Sequence, residues 1–290
     1  MPSSKTALAF DIGGTKVAWA LIDEEGTVKK QGHQATPHDR TEFMALLDKL
    51  IRAHKADCVG IGMAGVFSSD HSTLLSSPNI PELRDLELRT FAAELMGAPA
   101  ALDNDARCAL IGEVWKGAAQ DTSSAVLITL GTGVGGAIMQ RQRILPHPQD
   151  ITLEVGYIIA DPTDLFPAIS GRGSIEGLLG GKNLEKRFDC NMHELATAAR
   201  KKDEEALELW KVISYYFQES LQAIHSVYRC KMVIVGGKGL HDLEFYMQDE
   251  PPCPVVPAML GENAGLIGAA RIAFDALEAS NEEAVRDWDE

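Results

Sequence analysis

The chain has 290 residues, 45% apolar and 24% charged, with 42 acidic against 27 basic side chains and a net charge of −15 at pH 7. That length predicts two domains of roughly 100–200 residues each, and the composition is that of a soluble globular protein with a full core. So large an acidic excess excludes a broad nucleic-acid or membrane-binding surface, but leaves room for a phosphorylated ligand held locally by backbone N–H groups. No apolar run approaches the ~18 residues of a membrane helix, and residues 1–6 are too short and polar for a signal peptide, which predicts a cytoplasmic protein. Cys58, Cys108, Cys190, Cys230 and Cys253 show no paired spacing. Neither a disulfide framework nor a zinc motif is written here, and buried reduced thiols are expected.

In chain order, Ala7–Asp11 and Lys16–Asp23 read as strands, with Glu24–Gly26 turning into a third. Residues 41–54 form an amphipathic helix with Phe43, Leu47, Leu50 and Ile51 on one stripe. The run 58–65 is a buried strand ending in a loop, and the helix over 86–96 stops at Gly97. Residues 101–117 pass from a short strand into a helix that opens on Asp103, Asn104 and Asp105. Residues 124–145 read as strand, glycine turn and strand. The stretch 193–229 is helical with a break near Lys202 and Asp203, and 231–240 is a strand followed by a glycine turn. A short strand in PVVPA, a helix over 262–277 and a fraying acidic tail from Glu278 complete the reading.

ALAFDIGGTKVAWAL and VLITLGTGVGGAIM share one plan, an apolar strand, a glycine turn and a second apolar strand, which suggests two related halves. Gly131, Gly133 and Gly136 satisfy the dinucleotide fingerprint, but that fingerprint works only if a helix follows, and AIMQRQRIL reads as a returning strand. No Walker A loop occurs. The two turns therefore read as β-hairpin phosphate loops, in which glycine permits positive φ and close approach of an anion to the backbone. Hairpins also use glycine for turn geometry alone. The carboxylates of DND suit proton abstraction at a loop lip, and they equally suit an ordinary helix N-cap.

The motifs AFDIGGTK, DNDA (103–106), LGTGVGG (130–136), LEVGY (153–157), SGRG (170–173) and VIVGG (233–237) occur in the order found in bacterial sugar kinases. Over about residues 7–277 the chain resembles the ROK family (repressors, open reading frames and kinases) of the actin-like ATPase superfamily. The resemblance implies a two-domain α/β fold, ribonuclease H-like, with an interdomain cleft for ATP and sugar. The domain boundaries expected are 1–103 with 262–290, and 104–261. It implies a cytoplasmic ATP- and Mg²⁺-dependent kinase acting on a hexose-type hydroxyl, free of nucleic acid and membrane, in a chain that is often a homodimer in relatives. Asp105 would be the general base and Asp11 would face Mg²⁺ through water. Gly13, Gly14, Thr15 and Lys16 would form the first phosphate loop, Gly131, Thr132 and Gly133 the second, and Gly236 and Gly237 the adenosine turn. Gly65, Asn79, Asn104, Asp105, Glu154 and Tyr157 would line the sugar.

Two departures from the family stand out. Tyr157 replaces the usual histidine that also ligates a structural zinc, and no cysteine or histidine lies between Tyr157 and Ser170, so no structural zinc is expected. The family's second sugar-binding glutamate falls at Phe166. Its role is either lost, taken by the Phe166 ring, or supplied by Glu176. The alternatives are a non-catalytic or regulatory sugar binder, for which no N-terminal DNA-binding module precedes Asp11, and a polyphosphate-dependent kinase, which the acidic charge does not favour.

Overall fold

The structure, a computed structural model, describes residues 4–77, 80–146 and 154–286, with the side chains of 283–286 not described. The chain forms two compact units, 1–120 with 262–290, and 121–261.

The first unit is built on a five-stranded sheet in the order β3-β2-β1-β4-β7. Strands β1 (Thr6–Ile12), β2 (Lys16–Asp23) and β3 (Val28–Ala35) form an antiparallel meander. Two crossovers follow. Helix α1 (Arg40–Arg52) leads to β4 (Cys58–Met63), parallel to β1, and α2 (Leu88–Met96) leads to β7 (Ala100–Asp103), parallel to β4. Ala7, Leu8, Ala9 and Phe10 are fully buried, as expected of an interior strand covered on both faces. Edge strand β3 instead exposes Lys29 and Lys30, which discourages pairing with another chain. Asp39 caps α1 by accepting from the N–H groups of Thr41 (2.9 Å) and Glu42 (3.0 Å), and Phe43, Leu47, Leu50 and Ile51 are buried as their spacing predicts. Gly97 ends α2 in the left-handed conformation.

Helix α3 (Asp105–Lys116) belongs to this unit, so its boundary lies beyond the 103/104 division expected from the sequence. The reason is close backbone packing against the last helix, α9 (Ala264–Arg286). A Cβ added at Gly112 would stand 2.4 Å from the Ala264 carbonyl oxygen, and one at Gly268 1.6 Å from that of Cys108. One at Gly60 in β4 would stand 1.8 Å from the Ala269 oxygen. Replacing Gly268 with Ala forces these helices apart and is expected to cost about 3 kcal/mol, the upper part of the overpacking range. An unchanged urea midpoint would show that this contact is looser than described. Helix α9 also continues past the expected frayed tail at Glu278 to Arg286, because no Gly or Pro interrupts a run rich in strong helix formers.

The second unit repeats the sheet plan in the order β10-β9-β8-β11-β12. Strands β8 (Ser124–Leu130), β9 (Val134–Gln140) and β10 (Arg143–Ile144) are antiparallel, and β11 (Val233–Gly236) and β12 (Val255–Pro257) extend the sheet in parallel with β8. The echo between the two glycine hairpins is thus a shared topology, three antiparallel strands followed by two parallel ones. Strand β9 begins at Val134, inside GTGVGG, so a strand and not a helix follows the GTG turn, which removes the dinucleotide reading. Helices α4 (Ile175–Leu179), α5 (Gly181–Phe188), α6 (Met192–Arg200) and α7 (Glu204–Tyr228) come between β10 and β11. The break expected near 202–203 is there: Lys202 has φ 65° and Asp203 caps α7. The short helices α4, α5 and α8 (Leu243–Tyr246), and the hairpin of β5 (Val66–Phe67) and β6 (Leu74–Ser76), were not legible in the sequence. Trp210 of α7 is fully buried against the rings of Phe245 and Tyr246, each centred 5.1 Å away.

Candidate active site

In the first unit the expected residues gather at the carboxyl ends of parallel strands. Ile12 of β1 is level with Met63 of β4, and Gly62 of β4 with Asp103 of β7. This register sets Asp11, the turn Gly13–Lys16, Gly65 and the pair Asn104 and Asp105 along one edge of the sheet, where open α/β sheets bind ligands. Asn79 lies outside the described residues.

The first turn is tied down from behind. The Gly13 N–H donates to the Lys16 carbonyl (2.9 Å), Thr36 Oγ1 donates to the Gly13 carbonyl (2.7 Å), and His38 Nε2 lies 3.0 Å from the Gly14 carbonyl. Contrary to expectation, neither Gly13 nor Gly14 takes a positive φ, and the same holds for Gly131 and Gly133. Space does not demand glycine at Gly13 either, since an added Cβ would meet nothing nearer than the Lys16 oxygen at 3.5 Å. At Gly131 the nearest atom is 3.9 Å away. Lys16 pairs with Glu262 at 3.2 Å on the surface, a contact worth little by itself.

Asn104 proves to be the N-cap of α3. Its Oδ1 accepts from the N–H groups of Ala106 (2.9 Å) and Arg107 (3.2 Å), so only its amide nitrogen is free of the cap. Asp103 is buried and braces the turn, accepting from its neighbour's N–H at 2.8 Å and from Arg107 Nε at 2.8 Å, with His71 Nδ1 at 3.6 Å. With capping and bracing assigned to its neighbours, Asp105 begins the helix without serving as its cap. Its carboxylate acts on Asp11: burial first, then the charge of Asp105, push the Asp11 carboxyl up to about 7, against the pull of Lys16. A Cβ added at Gly265 would stand 2.6 Å from Asp11 Oδ2, so this carboxyl lies against the first turn of α9. The donor set fits Mg²⁺: a hard oxygen ligand whose ionisation is held back by burial and a neighbouring anion gains from a cation.

In the second unit the GTG turn lies beside the VIVGG turn, because Thr129 of β8 is level with Gly236 of β11. Gly237 has φ 78°, and a Cβ there would stand 2.5 Å from the Leu130 carbonyl oxygen, so here glycine is required by conformation and packing alike. The carbonyls of Gly131 and Thr132 accept from the N–H groups of Gly181 (2.9 Å) and Lys182 (3.0 Å) at the start of α5. Gly65, in the first unit, is likewise a close-approach glycine, its added Cβ falling 2.6 Å from the Ser76 carbonyl oxygen.

Glu154 precedes a short 3₁₀ turn, Val155–Tyr157, whose last residue is Tyr157. Burial first, then the charges of Glu176 and Glu154, raise the Tyr157 phenol above its ordinary range, so it stays a neutral donor. Glu176 already has a partner within the second unit. Its Oε2 accepts the Val134 N–H at 3.1 Å and fills the space where a Gly133 Cβ would stand, at 2.4 Å. It thereby props the second turn beside the 154–157 segment. Glu176→Ala is expected to raise the Michaelis constant for the nucleotide several-fold with a smaller effect on turnover, and Glu176→Gln, which keeps an acceptor oxygen, to recover most of the loss. Equal kinetics for the two variants would remove this role.

Phe166 is covered by Arg187, whose guanidinium carbon lies 4.3 Å from the ring centre. Arg187 also forms a bidentate pair with Asp164 (2.7 and 2.8 Å), which draws the Asp164 carboxyl below its ordinary range. Phe166 thus packs against Arg187 on one face, and this ion pair fastens the segment in which zinc ligands are missing. Lys16–Glu262, His71–Asp103 and the Glu176 brace join residues far apart in the chain, and no local signal in the sequence marked them.

The ROK family profile matches residues 7–276. An N-acetylmannosamine kinase of Haemophilus influenzae (strain PittEE) is 30% identical over 288 residues, covering 93% of this chain and 96% of the relative. A ROK family glucokinase from Streptomyces griseus, solved in complex with glucose and AMPPNP, is 26% identical with a TM-score of 0.76 and covers 93% of this chain and 99% of its own. The ROK hexokinase from Thermus thermophilus is 26% identical with a TM-score of 0.80 and covers 95% of this chain and 99% of its own.

Proposed function

This chain belongs to the ROK family, and on that premise we propose its reaction: transfer of the γ-phosphoryl group of ATP to a hydroxyl of a hexose or N-acylated hexosamine. It is an ATP-dependent sugar kinase. The observation that carries the assignment of the site is the pair Gly13 and Gly131. Neither conformation nor packing within the chain calls for glycine there, which supports reading both as places where a ligand approaches the backbone.

In the proposed reaction Asp105 accepts the proton of the sugar hydroxyl as its oxygen attacks the γ-phosphorus, and ADP leaves with the electron pair of the broken P–O bond. Asn104, through its amide nitrogen, together with Glu154 and Tyr157, orients the sugar. Thr15 and Lys16 complete the first phosphate loop and Thr132 the second, and Gly236 and Gly237 form the turn against which adenosine lies. Asp11 would hold Mg²⁺ through water, and the ion supplies charge neutralisation at the phosphates. The dependence on ATP suits a cytoplasmic enzyme, and a homodimer is the proposed assembly. Among the described residues no helix is long and apolar enough to cross a membrane.

A coupled ADP-release screen over glucose, mannose, fructose, allose and N-acylated hexosamines, with polyphosphate as the alternative donor, tests the reading. Activity with ATP on at least one hexose derivative is expected. Phosphorylation from polyphosphate alone would replace the donor, and sugar binding without turnover would favour the regulatory reading.

A further inference from the structure

A cluster with no part in the proposed reaction lies at the other end of β11 from the adenosine turn. Helix α7 ends at Arg229, whose φ of 48° reverses the chain, so that Cys230 follows His225 back across the helix end into β11. Cys253 precedes β12, the parallel neighbour, in which Val255 is level with Val233. The two cysteines thus stand at the entry of adjacent strands, with His225 in the last turn of the helix packed beside them. The ligand atoms of His225, Cys230 and Cys253 all lie within 4.8 Å of one another. The cysteines are 2% and 9% exposed. His225 Nδ1 is buried without a hydrogen-bond partner, a position that ordinarily finds one.

We propose that His225, Cys230 and Cys253 form a binding site for one thiophilic metal ion of the zinc class, clasping the end of α7 to the start of β11 and β12. Two sulfurs and an imidazole nitrogen are the donor set such ions prefer, and bonds of about 2.0–2.3 Å need only small side-chain shifts from the separations present. Water takes the fourth position. Such ions bind cysteine as thiolate, so binding releases two protons to solvent, one from each thiol, while the imidazole contributes its lone pair. The site is separate from the family's zinc ligands, whose segment follows Tyr157 and is fastened here by Asp164 and Arg187. It departs from the expectation that this chain holds no structural zinc.

Co²⁺ is the probe, added to the whole chain after treatment with chelator and a phosphine reductant. One Co²⁺ per chain is expected, with a near-ultraviolet thiolate-to-cobalt band, displacement by Zn²⁺, and release of two protons per ion by calorimetry in buffers of different ionisation enthalpy. Cys253→Ser and His225→Ala should each weaken binding by on the order of 100-fold or more, whereas Cys190→Ser should not. Thermal melting of each variant without metal checks that it folds, and Zn²⁺ should raise the wild-type melting temperature. If Cys253→Ser does not fold, the wild-type spectrum and His225→Ala decide. Wild-type binding no tighter than that of His225→Ala, or a cobalt spectrum without the thiolate band, would overturn the proposal.

Discussion

Replacing Asp105 with Asn lowers turnover by on the order of 10²–10⁴, the contribution of a general base, while leaving the fold in place. The fold survives because the cap of α3 belongs to Asn104, and because an amide oxygen at position 105 can still accept the Ala106 N–H that the aspartate now accepts at 2.9 Å. Sugar binding measured by calorimetry should therefore change little. The substitution also removes one of the two influences that raise Asp11, so the Asp11 carboxyl should ionise at lower pH in the variant. Full turnover in Asp105→Asn would place the base elsewhere.

Replacing Asp11 with Asn stabilises the ligand-free protein at alkaline pH and disables the enzyme. Asp11 ionises near 3.8 in the unfolded chain and at about 7 in the folded one. The stability it contributes is fully present below pH 3.8 and is lost as pH rises through 7, because above that value the folded state carries a buried, repelled carboxylate. An asparagine has no such loss. In chelator, the variant should match the wild type near pH 4 and exceed it near pH 8, by at most about 4 kcal/mol for a shift of roughly three pKa units. Mg²⁺ should narrow the gap by favouring the wild-type carboxylate. A difference in stability that stays constant between pH 4 and 8 would mean that Asp11 does not titrate in this range.

These two variants depend on facts that the sequence carried unequally. The hairpins, the helix stripe of Phe43 and Leu47, and the αL stop at Gly97 were legible because each is set by local periodicity or a single turn residue. The residues alone left the candidate base as one of three polar positions in DND, and only the family resemblance singled out Asp105. The cap bond to Asn104 and the Arg107 bond to Asp103 add a structural reason for the same choice. The glycines of the two turns were read for positive φ and for close approach of an anion, and Gly13 and Gly131 do not adopt the first. Glu176 stood only as one alternative for a missing sugar contact, and nothing near it in the chain announces its bond to Val134. The same holds for His225, Cys230 and Cys253, whose spacing matches no metal motif and which only the parallel pairing of β11 and β12 brings together.

Phosphoryl transfer from ATP to a sugar at Asp105 can be followed directly. The direct measurement follows γ-labelled ATP with Mg²⁺ and a panel containing glucose and N-acetylmannosamine, and isolates the sugar product. Label is expected on a sugar phosphate in equal amount to the ADP formed, with transfer reduced by on the order of 10²–10⁴ in Asp105→Asn. Label appearing only in inorganic phosphate, or transferred equally well by the variant, would contradict it.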